Sequence, residues 1–382
     1  MNILIAPDSF KESLEALDVC RAIKSGFSQV FPNADYTLLP MADGGEGTST
    51  VLSYVLGGQW KEVIVHDPLM RSLTTKYLLL PDATAVIEIA QACGLHLLNL
   101  EERNPLIASS YGVGELIKDA LDKGAKRIII GLGGSATNDA GVGMLAALGM
   151  AFYDQQGEPL GQGGGQLANL QRIDSSTFNP NILNTVFEVA CDVNNPLCGP
   201  LGASAIFGPQ KGASTEQIKL LDKSLSHFAT VCHQHGNHHG SESYQHVAGA
   251  GAAGGLGYAL MTFCGARLQS GFDTVAEAVG LSQHITSADL VITGEGKLDE
   301  QTAMGKVAGG ISQLAKLNQT PVIAICGSVD GLKPTQTTQF EVVMPSIQKV
   351  DSIDNVLKEA YDNIETTAVN IAAAIRLGQN TK

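Results

Sequence analysis

The sequence predicts an α/β protein built around parallel sheets. Apolar, strand-like runs alternate with helical stretches over most of the 382 residues, which is the pattern of parallel strands joined by crossover helices. At the start, the apolar run 2–6 leads into an amphipathic helix at about 13–31 and then into a second strand at 36–39. Together these segments predict one βαβ unit.

A second set of buried strands is predicted near the other end of the chain. They have helical stretches between and after them, so we expect them to continue the same kind of sheet. These strands are residues 290–293, 322–325 and 341–344. Between the two ends the strands are more irregular, and segments 76–80 and 85–89 are typical of a hairpin.

The length of the chain favours two domains, because 382 residues exceed what one hydrophobic core usually serves. We expect a discontinuous, parallel-sheet domain of the Rossmann or flavodoxin-like kind from residues 1–62 and 286–382. A second, mixed α/β domain is expected as an insertion at 63–285. The active site is expected in the cleft between them.

The charge balance points to small-molecule partners. A net charge of −14 argues against nucleic acid and anionic membranes, because binding either of them needs a broad basic surface. Small anions would be repelled by the overall field. A site for them is therefore expected to supply local backbone N–H groups, a few lysines or arginines, and a divalent cation.

The cysteines and the start of the chain favour a cytoplasmic protein. The seven cysteines are scattered and form no C-x-x-C pair, so we expect reduced, mostly buried thiols. The chain begins with a strand-like run rather than the pattern of a signal peptide.

The uncharged stretch 247–266 contains six glycines, which favours close backbone packing over a membrane span. The histidine-rich tract 233–239 is interpreted as a polar loop rather than a metal site.

Two segments near the start carry candidate metal and phosphate ligands. After the first strand, Asp8 and Ser9 are candidates for metal and phosphate contacts, and Lys11 for neutralising a phosphoryl oxygen. The alternative for this segment is a helix cap. After the second strand, Asp43 and Glu46 flank paired glycines and are predicted Mg²⁺ ligands, with a turn and capping box as the alternative.

A glycine-rich turn follows a strongly apolar strand at 128–130. A strand, glycine turn and helix start of this kind direct several N–H groups outward and form a cradle for an anion. Gly133 and Gly134 supply the turn, and four polar side chains follow within five residues. These predicted phosphate or substrate contacts are Ser135, Thr137, Asn138 and Asp139.

Two later segments complete the candidate site. Asp192 ends an apolar strand and is a candidate for orienting or deprotonating an attacking hydroxyl, with an Asx turn as the alternative. Lys211 lies on a Gly-Pro turn and is a candidate for meeting a carboxylate or phosphate. After the strand ending at 292, Glu295, Lys297 and Asp299 again offer metal and phosphate chemistry, with a solvated loop as the alternative.

Several common enzyme signatures do not apply. The stretch 249–254 matches the dinucleotide fingerprint, but the residues before it are polar rather than a buried strand, so a Rossmann cofactor site is not expected. The chain contains no Walker A sequence, no G-x-S-x-G elbow, no H-E-x-x-H pair and no protein-kinase H-R-D set. The usual hydrolase, protease and protein-kinase classes are therefore disfavoured.

Taken together, the segments resemble the type-1 glycerate kinase family over the whole chain. The matching segments, in order, are APDSFKESLEA, PMADGGEGT, SSYGVGELIKDAL, IIIGLGGSATNDAGVGMLAALG, CDVNNPLCGP, FGPQKGA, GAGAAGGLG and TGEGKLDEQT. The resemblance implies a two-domain α/β fold, ATP with Mg²⁺, and D-glycerate as the acceptor, with 2-phospho-D-glycerate as the product. Family members usually have Gly where this chain has Glu12 and Ala140, and Pro where it has Ala308, so local loop geometry is expected to differ there.

The roles of individual residues rest on their chemistry. We expect in-line phosphoryl transfer, with Asp192 orienting the attacking hydroxyl and Lys11 or Lys211 meeting the carboxylate of glycerate. The predicted Mg²⁺ ligands are Asp43, Glu46, Glu295 and Asp299.

The sequence leaves some alternatives open. The position of transfer is undecided, with a kinase that forms 3-phosphoglycerate as the alternative. The oligomeric state, a homodimer included, is also undecided. A GHMP-like kinase has a similar loop at 131–136 but no counterpart to the other segments. A non-catalytic sugar-acid sensor is disfavoured by the many carboxylates.

Overall fold

The computed structural model describes residues 1–234, 244–299, 306–330 and 339–381. Within these ranges it confirms the predicted α/β class. The strands are β1 (Asn2–Ile5), β2 (Asp35–Leu38), β3 (Gln59–His66), β4 (Ser72–Leu79), β5 (Thr84–Glu88), β6 (Arg127–Gly131), β7 (Ala151–Tyr153), β8 (Arg172–Asp174), β9 (Val186–Ala190), β10 (Arg267–Gln269), β11 (Leu290–Leu298), β12 (Val322–Val329) and β13 (Val342–Pro345).

The helices alternate with these strands along the chain, as the sequence pattern predicts. They are α1 (Ala16–Val30), α2 (Thr48–Leu56), α3 (Ala90–Cys93), α4 (Tyr111–Asp122), α5 (Val142–Ala147), α6 (Ala203–Phe207), α7 (Thr215–Gln234), α8 (Ala252–Cys264), α9 (Gly271–Ala278), α10 (Leu281–Thr286), α11 (Val307–Leu317), α12 (Ile353–Lys358) and α13 (Ala360–Asn380).

The chain forms two compact units. Unit 1 contains Met1–Asp43, Thr50–Val55 and Val275–Lys382, and unit 2 contains Gly44–Ser49 and Leu56–Thr274. Each unit has its own hydrophobic core.

Unit 1 is organised around a parallel sheet of five strands in the order β13-β12-β11-β1-β2. Strand β1 lies between β2 and β11, with Ile3 in register with both Tyr36 and Leu290. The β1 positions 3–5 are fully buried, because a parallel sheet covered by helices has no solvent-facing side. The predicted strands at both ends of the chain therefore form one sheet.

Helices α1 and α13 pack closely against each other on this sheet. The apolar stripe of α1 is buried in the core of unit 1, as its 3.6-residue periodicity predicts. Gly26 allows the close approach, because a Cβ at this position would lie 2.4 Å from the backbone oxygen of Glu365. A side chain there would force the two helices apart.

Unit 2 contains a mixed sheet of six strands in the order β10-β9-β6-β5-β4-β3. Strands β10, β9, β6 and β5 are parallel, whereas β4 and β3 are antiparallel additions. The predicted hairpin is confirmed, with Leu78 opposite Val86 in the β4–β5 pair. A small antiparallel pair, β7 and β8, lies apart from this sheet.

The glycine-rich stretch 247–266 forms α8 and the turn that leads into it. Residues Ala253, Gly254 and Gly255 adopt left-handed backbone angles at the start of this helix. A Cβ at Gly254 would lie 2.1 Å from the carbonyl oxygen of Thr137, so the turn packs against the glycine-rich segment that follows β6. None of the helices described is long and apolar enough to cross a membrane.

The cysteines and the histidine-rich tract have different outcomes. The seven cysteines are free thiols, and five of them are buried, which confirms the expectation of mostly buried thiols. In the tract 233–239, His233 belongs to α7, whereas residues 235–239 lie outside the described part of the chain.

Candidate active site

Acidic residues gather at the carboxyl edge of the unit 1 sheet. Asp8 follows β1, Asp43 follows β2, and Glu295 lies within β11 just beyond its pairing with β1. The N–H of Asp8 donates to the carbonyl of Gly294 at 2.9 Å, which fixes the start of the loop against β11. Lys11 places its ammonium group 3.4 Å from the Asp43 carboxylate.

The electrostatics of this cluster favour a cation. Burial, together with repulsion from Asp43 and Glu295, raises the pKa of Asp8 to about 7. The nearby carboxylate of Asp43 raises the pKa of Lys11, so Lys11 is charged at neutral pH. Three carboxyl groups close enough to repel one another form a site where added positive charge is favourable.

The other predicted residues of unit 1 have nearby partners. The N–H of Ser9 donates to Asp8 Oδ1 at 2.7 Å. Lys297 is more than half exposed and pairs with Asp330 at 2.7 Å, and Asp299 lies 3.8 Å from Lys306. In the described ranges, no group of three or more His, Cys, Asp or Glu side chains is arranged to hold a metal by itself.

The carboxyl ends of three parallel strands meet at one edge of the unit 2 sheet. Glu88 at the end of β5 is in register with Gly131 at the end of β6, and Gly131 is in register with Ala190 at the end of β9. Gly44 packs against this edge. A Cβ on Gly44 would lie 2.6 Å from that of Ala190, and one on Gly131 would lie 2.4 Å from the Gly44 carbonyl oxygen.

The turn after β6 exposes the backbone of Gly133 and Gly134. Gly134 has a φ of 68° and its carbonyl accepts from the N–H of Leu95 at 2.8 Å. The N–H groups of Gly133 and Gly134 have no hydrogen-bond partner within the described ranges. Two successive donors of this kind can receive an anion.

The four polar side chains that follow Gly134 in the sequence point into unit 2 rather than to its surface. All four are at most 4% exposed. The amide of Asn138 donates to Ser204 Oγ at 3.0 Å, and its Oδ1 is buried without a partner among the residues described. These side chains are Ser135, Thr137, Asn138 and Asp139. They hold the loop in place, while its glycines face outward.

Lys211 is buried beneath the same loop. Its side chain is 2% exposed, and its ammonium group donates to Ser135 Oγ at 2.9 Å and to the Thr137 carbonyl at 2.7 Å. Burial lowers the pKa of Lys211 to about 8, and nearby Cys93 and Asp139 partly oppose this shift. Lys211 therefore ties both ends of the segment 135–137 to the 3₁₀ turn Pro209–Lys211.

Asp139 connects the loop to two helices. Its Oδ2 accepts from both the N–H and the hydroxyl of Ser110 at 2.8 Å, just before α4. At the start of α5, the N–H of Gly141 donates to Asp139 Oδ1 at 3.1 Å, and the N–H of Gly143 donates to Oδ2 at 3.2 Å. Burial raises the pKa of Asp139, and these donated hydrogen bonds oppose the shift.

Asp192 lies exposed just beyond β9. Its Oδ1 accepts from the N–H of Gly271, the first residue of α9, at 2.9 Å. An acceptor at a helix N-terminus is a favourable position for a carboxylate. The side chain is thus held at the carboxyl edge of the sheet and remains accessible to solvent.

Glu88 and His96 are site residues that the sequence interpretation did not include. Glu88 is 8% exposed, and its carboxylate accepts from the N–H groups of Ser49 at 2.7 Å and Gly47 at 3.4 Å. It thereby fixes the loop that presents Glu46. The signal for Glu88 was available, because an acid ends the buried strand β5 as Asp192 follows β9. For His96 the sequence offers no comparable signal.

These groups of unit 2 surround a cavity of about 250 Å³. Three titratable side chains and the outward-facing glycines line it. The lining includes Glu46, Glu88, His96, Gly133 and Gly134.

Comparison with known proteins relates this arrangement to one family. The glycerate kinase family matches residues 3–376. Glycerate kinase from Haemophilus influenzae is 47% identical, over 98% of this chain and 99% of that protein. Glycerate 2-kinase from Escherichia coli K12 is 46% identical, over 99% of each chain.

A solved structure agrees with this relationship. A crystal structure from Salmonella typhimurium LT2, reported under the name glycerate kinase 2, has a TM-score of 0.90 and 45% identity, and covers 100% of this chain and 99% of that one. The shared mixed α/β fold and the relatives matched over nearly the whole chain identify the protein as a kinase. The chain belongs to the glycerate kinase family and is a kinase.

Proposed function

We propose that this protein transfers the γ-phosphoryl group of ATP to the 2-hydroxyl of D-glycerate, giving 2-phospho-D-glycerate and ADP. The observation that carries the proposal is the 46% identity, across nearly the whole of both chains, to a protein named glycerate 2-kinase. The groups at the carboxyl edges of the two sheets have the chemistry that such a reaction needs.

The transfer itself needs an oriented hydroxyl. The glycerate oxygen attacks the γ-phosphorus in line as the bond to the β-phosphate oxygen breaks, and the hydroxyl proton passes to a carboxylate. We assign this carboxylate to Asp192, because it is exposed at the end of β9 and is held there by the N–H of Gly271. A base fixed in this way contributes about 10²–10⁴ in rate.

The metal in this proposal is Mg²⁺, and the carboxylates of unit 1 fit it. Mg²⁺ commonly uses one or two protein carboxylates together with phosphate oxygens and water, so a complete protein cage is not needed. Asp43 and Glu295 would hold it beside Asp8, whose pKa is raised by burial and by repulsion from these two carboxylates. When bound, Mg²⁺ would neutralise charge on the phosphoryl oxygens.

Two predicted metal ligands have a different part in the proposal. Asp299 pairs with Lys306, and Glu46 lines the cavity of unit 2, so neither is assigned to the metal. Lys11 is largely exposed beside Asp43 and is assigned to a phosphoryl oxygen. Lys211 is assigned to holding the loop, because its ammonium group is directed to Ser135 and Thr137.

The test is an ATP-dependent assay with D-glycerate, using purified protein and Mg²⁺. ADP formation should require both D-glycerate and Mg²⁺, should stop on addition of EDTA, and should return with excess Mg²⁺. Phosphorus NMR should identify 2-phosphoglycerate as the product. Exclusive formation of 3-phosphoglycerate would refute the assigned position of transfer, and no ADP formation with D-glycerate would refute the proposal as a whole.

A further inference from the structure

The cavity of unit 2 has the size and polarity for a small hydroxy acid. Its volume of about 250 Å³ lies below the roughly 300–1,000 Å³ of sites for drug-sized ligands. A whole nucleotide is too large for it. A three-carbon acid with its hydration is a suitable size.

The hydrogen-bond donors that line the cavity come from different residues than the acceptors. Gly133 and Gly134 line it, and their N–H groups are without partners in the described part of the chain. His96 also lines it, and its position is restricted because its ring packs against Gly94, where a Cβ would lie 2.6 Å from the ring nitrogen Nδ1. These groups can receive a single carboxylate.

The acceptors are the carboxylates of Glu46 and Glu88. Glu88 is more than nine-tenths buried and is held by the N–H groups of Ser49 and Gly47. Ionised carboxylates accept hydrogen bonds from hydroxyl groups and repel phosphates. A ligand with one carboxylate and two hydroxyls satisfies both kinds of group, whereas a triphosphate would place its charge beside two acids.

We propose that this cavity is the acceptor subsite, in which Gly133 and Gly134 receive the carboxylate of the hydroxy acid and Glu46 and Glu88 select for the hydroxyl that is not phosphorylated, while the attacking hydroxyl is oriented by Asp192. The proposal rests on the proposed function, and it adds the residues that select the acceptor. It accounts for two glutamates in a protein whose reactants are both anions. The two glutamates repel the phosphate groups of phosphorylated compounds at this position and accept hydrogen bonds from hydroxyl groups.

One substitution probes the cavity without straining the backbone. A Cβ at Gly133 would lie 3.6 Å from its nearest neighbour, the Gly45 Cα, which is ordinary contact, and Gly133 does not have a positive φ. Gly133→Ala therefore keeps the N–H and narrows the cavity. Gly378→Ala, where a Cβ meets nothing within 4 Å, is the matched control.

The experiment measures KM for D-glycerate and for ATP separately. Gly133→Ala and Glu46→Gln should each raise KM for D-glycerate about tenfold or more, as loss of a charged hydrogen-bond partner or of fit implies. KM for ATP should stay within about twofold. Gly378→Ala and Glu101→Gln, an exposed glutamate elsewhere, should leave both values unchanged.

The contrary outcomes are distinct. If the variants raise KM for ATP instead, or change neither value, the subsite proposal is overturned while the kinase activity stands. If the wild-type protein does not phosphorylate D-glycerate, calorimetric titration with D-glycerate, with and without a non-hydrolysable ATP analogue, decides the matter. Binding that Gly133→Ala abolishes would support the subsite alone, and no binding would overturn it together with the function.

Discussion

The ammonium nitrogen of Lys211 lies 2.9 Å from the hydroxyl oxygen of Ser135, in the interior of unit 2. The same nitrogen donates to the carbonyl of Thr137 at 2.7 Å. A buried lysine thus joins the turn Pro209–Lys211 to the loop whose outer side carries Gly133 and Gly134. The stability of unit 2 and the shape of this loop should therefore depend on one side chain.

Replacing this lysine should destabilise the protein. In Lys211→Met the apolar stem is kept, but Ser135 Oγ and the Thr137 carbonyl lose their shared donor. An unsatisfied buried polar group costs about 1–3 kcal/mol, so the free energy of unfolding in urea should fall by about that amount. The exposed Lys219→Met on α7 is the control, and an equal stability for both variants would contradict a structural role for Lys211.

The buried charge also predicts a pH dependence. The folded-state pKa of Lys211, about 8, is below its ordinary value of 10.5. Between these two values the unfolded chain binds the proton that the folded protein has released, so this residue's contribution to stability rises with pH. Below about pH 8 both states are charged and the penalty of burial is complete.

The measurement is the difference in unfolding free energy between wild type and Lys211→Met. From pH 7.5 to 9.5 this difference should shift in favour of the wild type, because other titrating groups are common to both proteins. A difference that is constant over this range, or that moves toward the variant, would refute the lowered pKa.

Glu12 should be replaceable by glycine with a gain in stability. Its φ of 65° lies in the left-handed region, which costs a non-glycine residue about 1–2 kcal/mol, and its exposed side chain contributes little burial. After the entropy cost of glycine, Glu12→Gly should raise the free energy of unfolding by about 0.5–1 kcal/mol. Glu15→Gly, at a φ of −65°, is the control and should give no gain in urea unfolding.

Asp192→Asn tests the assigned base while preserving its structural contact. The amide oxygen can still accept from the N–H of Gly271, so the thermal midpoint should change little. The rate constant kcat should fall by about 10²–10⁴. Asp222→Asn is a matched control, since Asp222 also accepts a backbone N–H, that of Gly199 at 2.8 Å. A kcat for Asp192→Asn within about threefold of wild type would exclude the assignment.

The fold was largely predictable because burial leaves a periodic record. The strands β1, β11 and β12 each contain a short apolar run, and α1 carries an apolar stripe. At Glu12 and Ala140, where family members usually have glycine, the backbone has positive φ values of 65° and 52°. The sequence thus marked two positions where the backbone is strained.

The candidate site was harder to predict because side-chain direction depends on tertiary packing. The polar run after Gly134 looks like a set of surface ligands, yet Thr137 and Asn138 are fully buried. A lysine after a Gly-Pro turn looks exposed, yet Lys211 is inside unit 2. Glu88 accepts hydrogen bonds from residues about 40 positions earlier, a contact that only the folding of the chain creates.

The position of β1 has a consequence for biosynthesis. Ile3 pairs with Leu290, so one edge of β1, an interior strand of the unit 1 sheet, has no strand to pair with until almost three hundred residues have been translated. Most of unit 2 lies within the continuous stretch Leu56–Thr274 and is synthesised during that interval. During synthesis, the hydrophobic strand β1 must therefore be kept from wrong association until its partner β11 has left the ribosome.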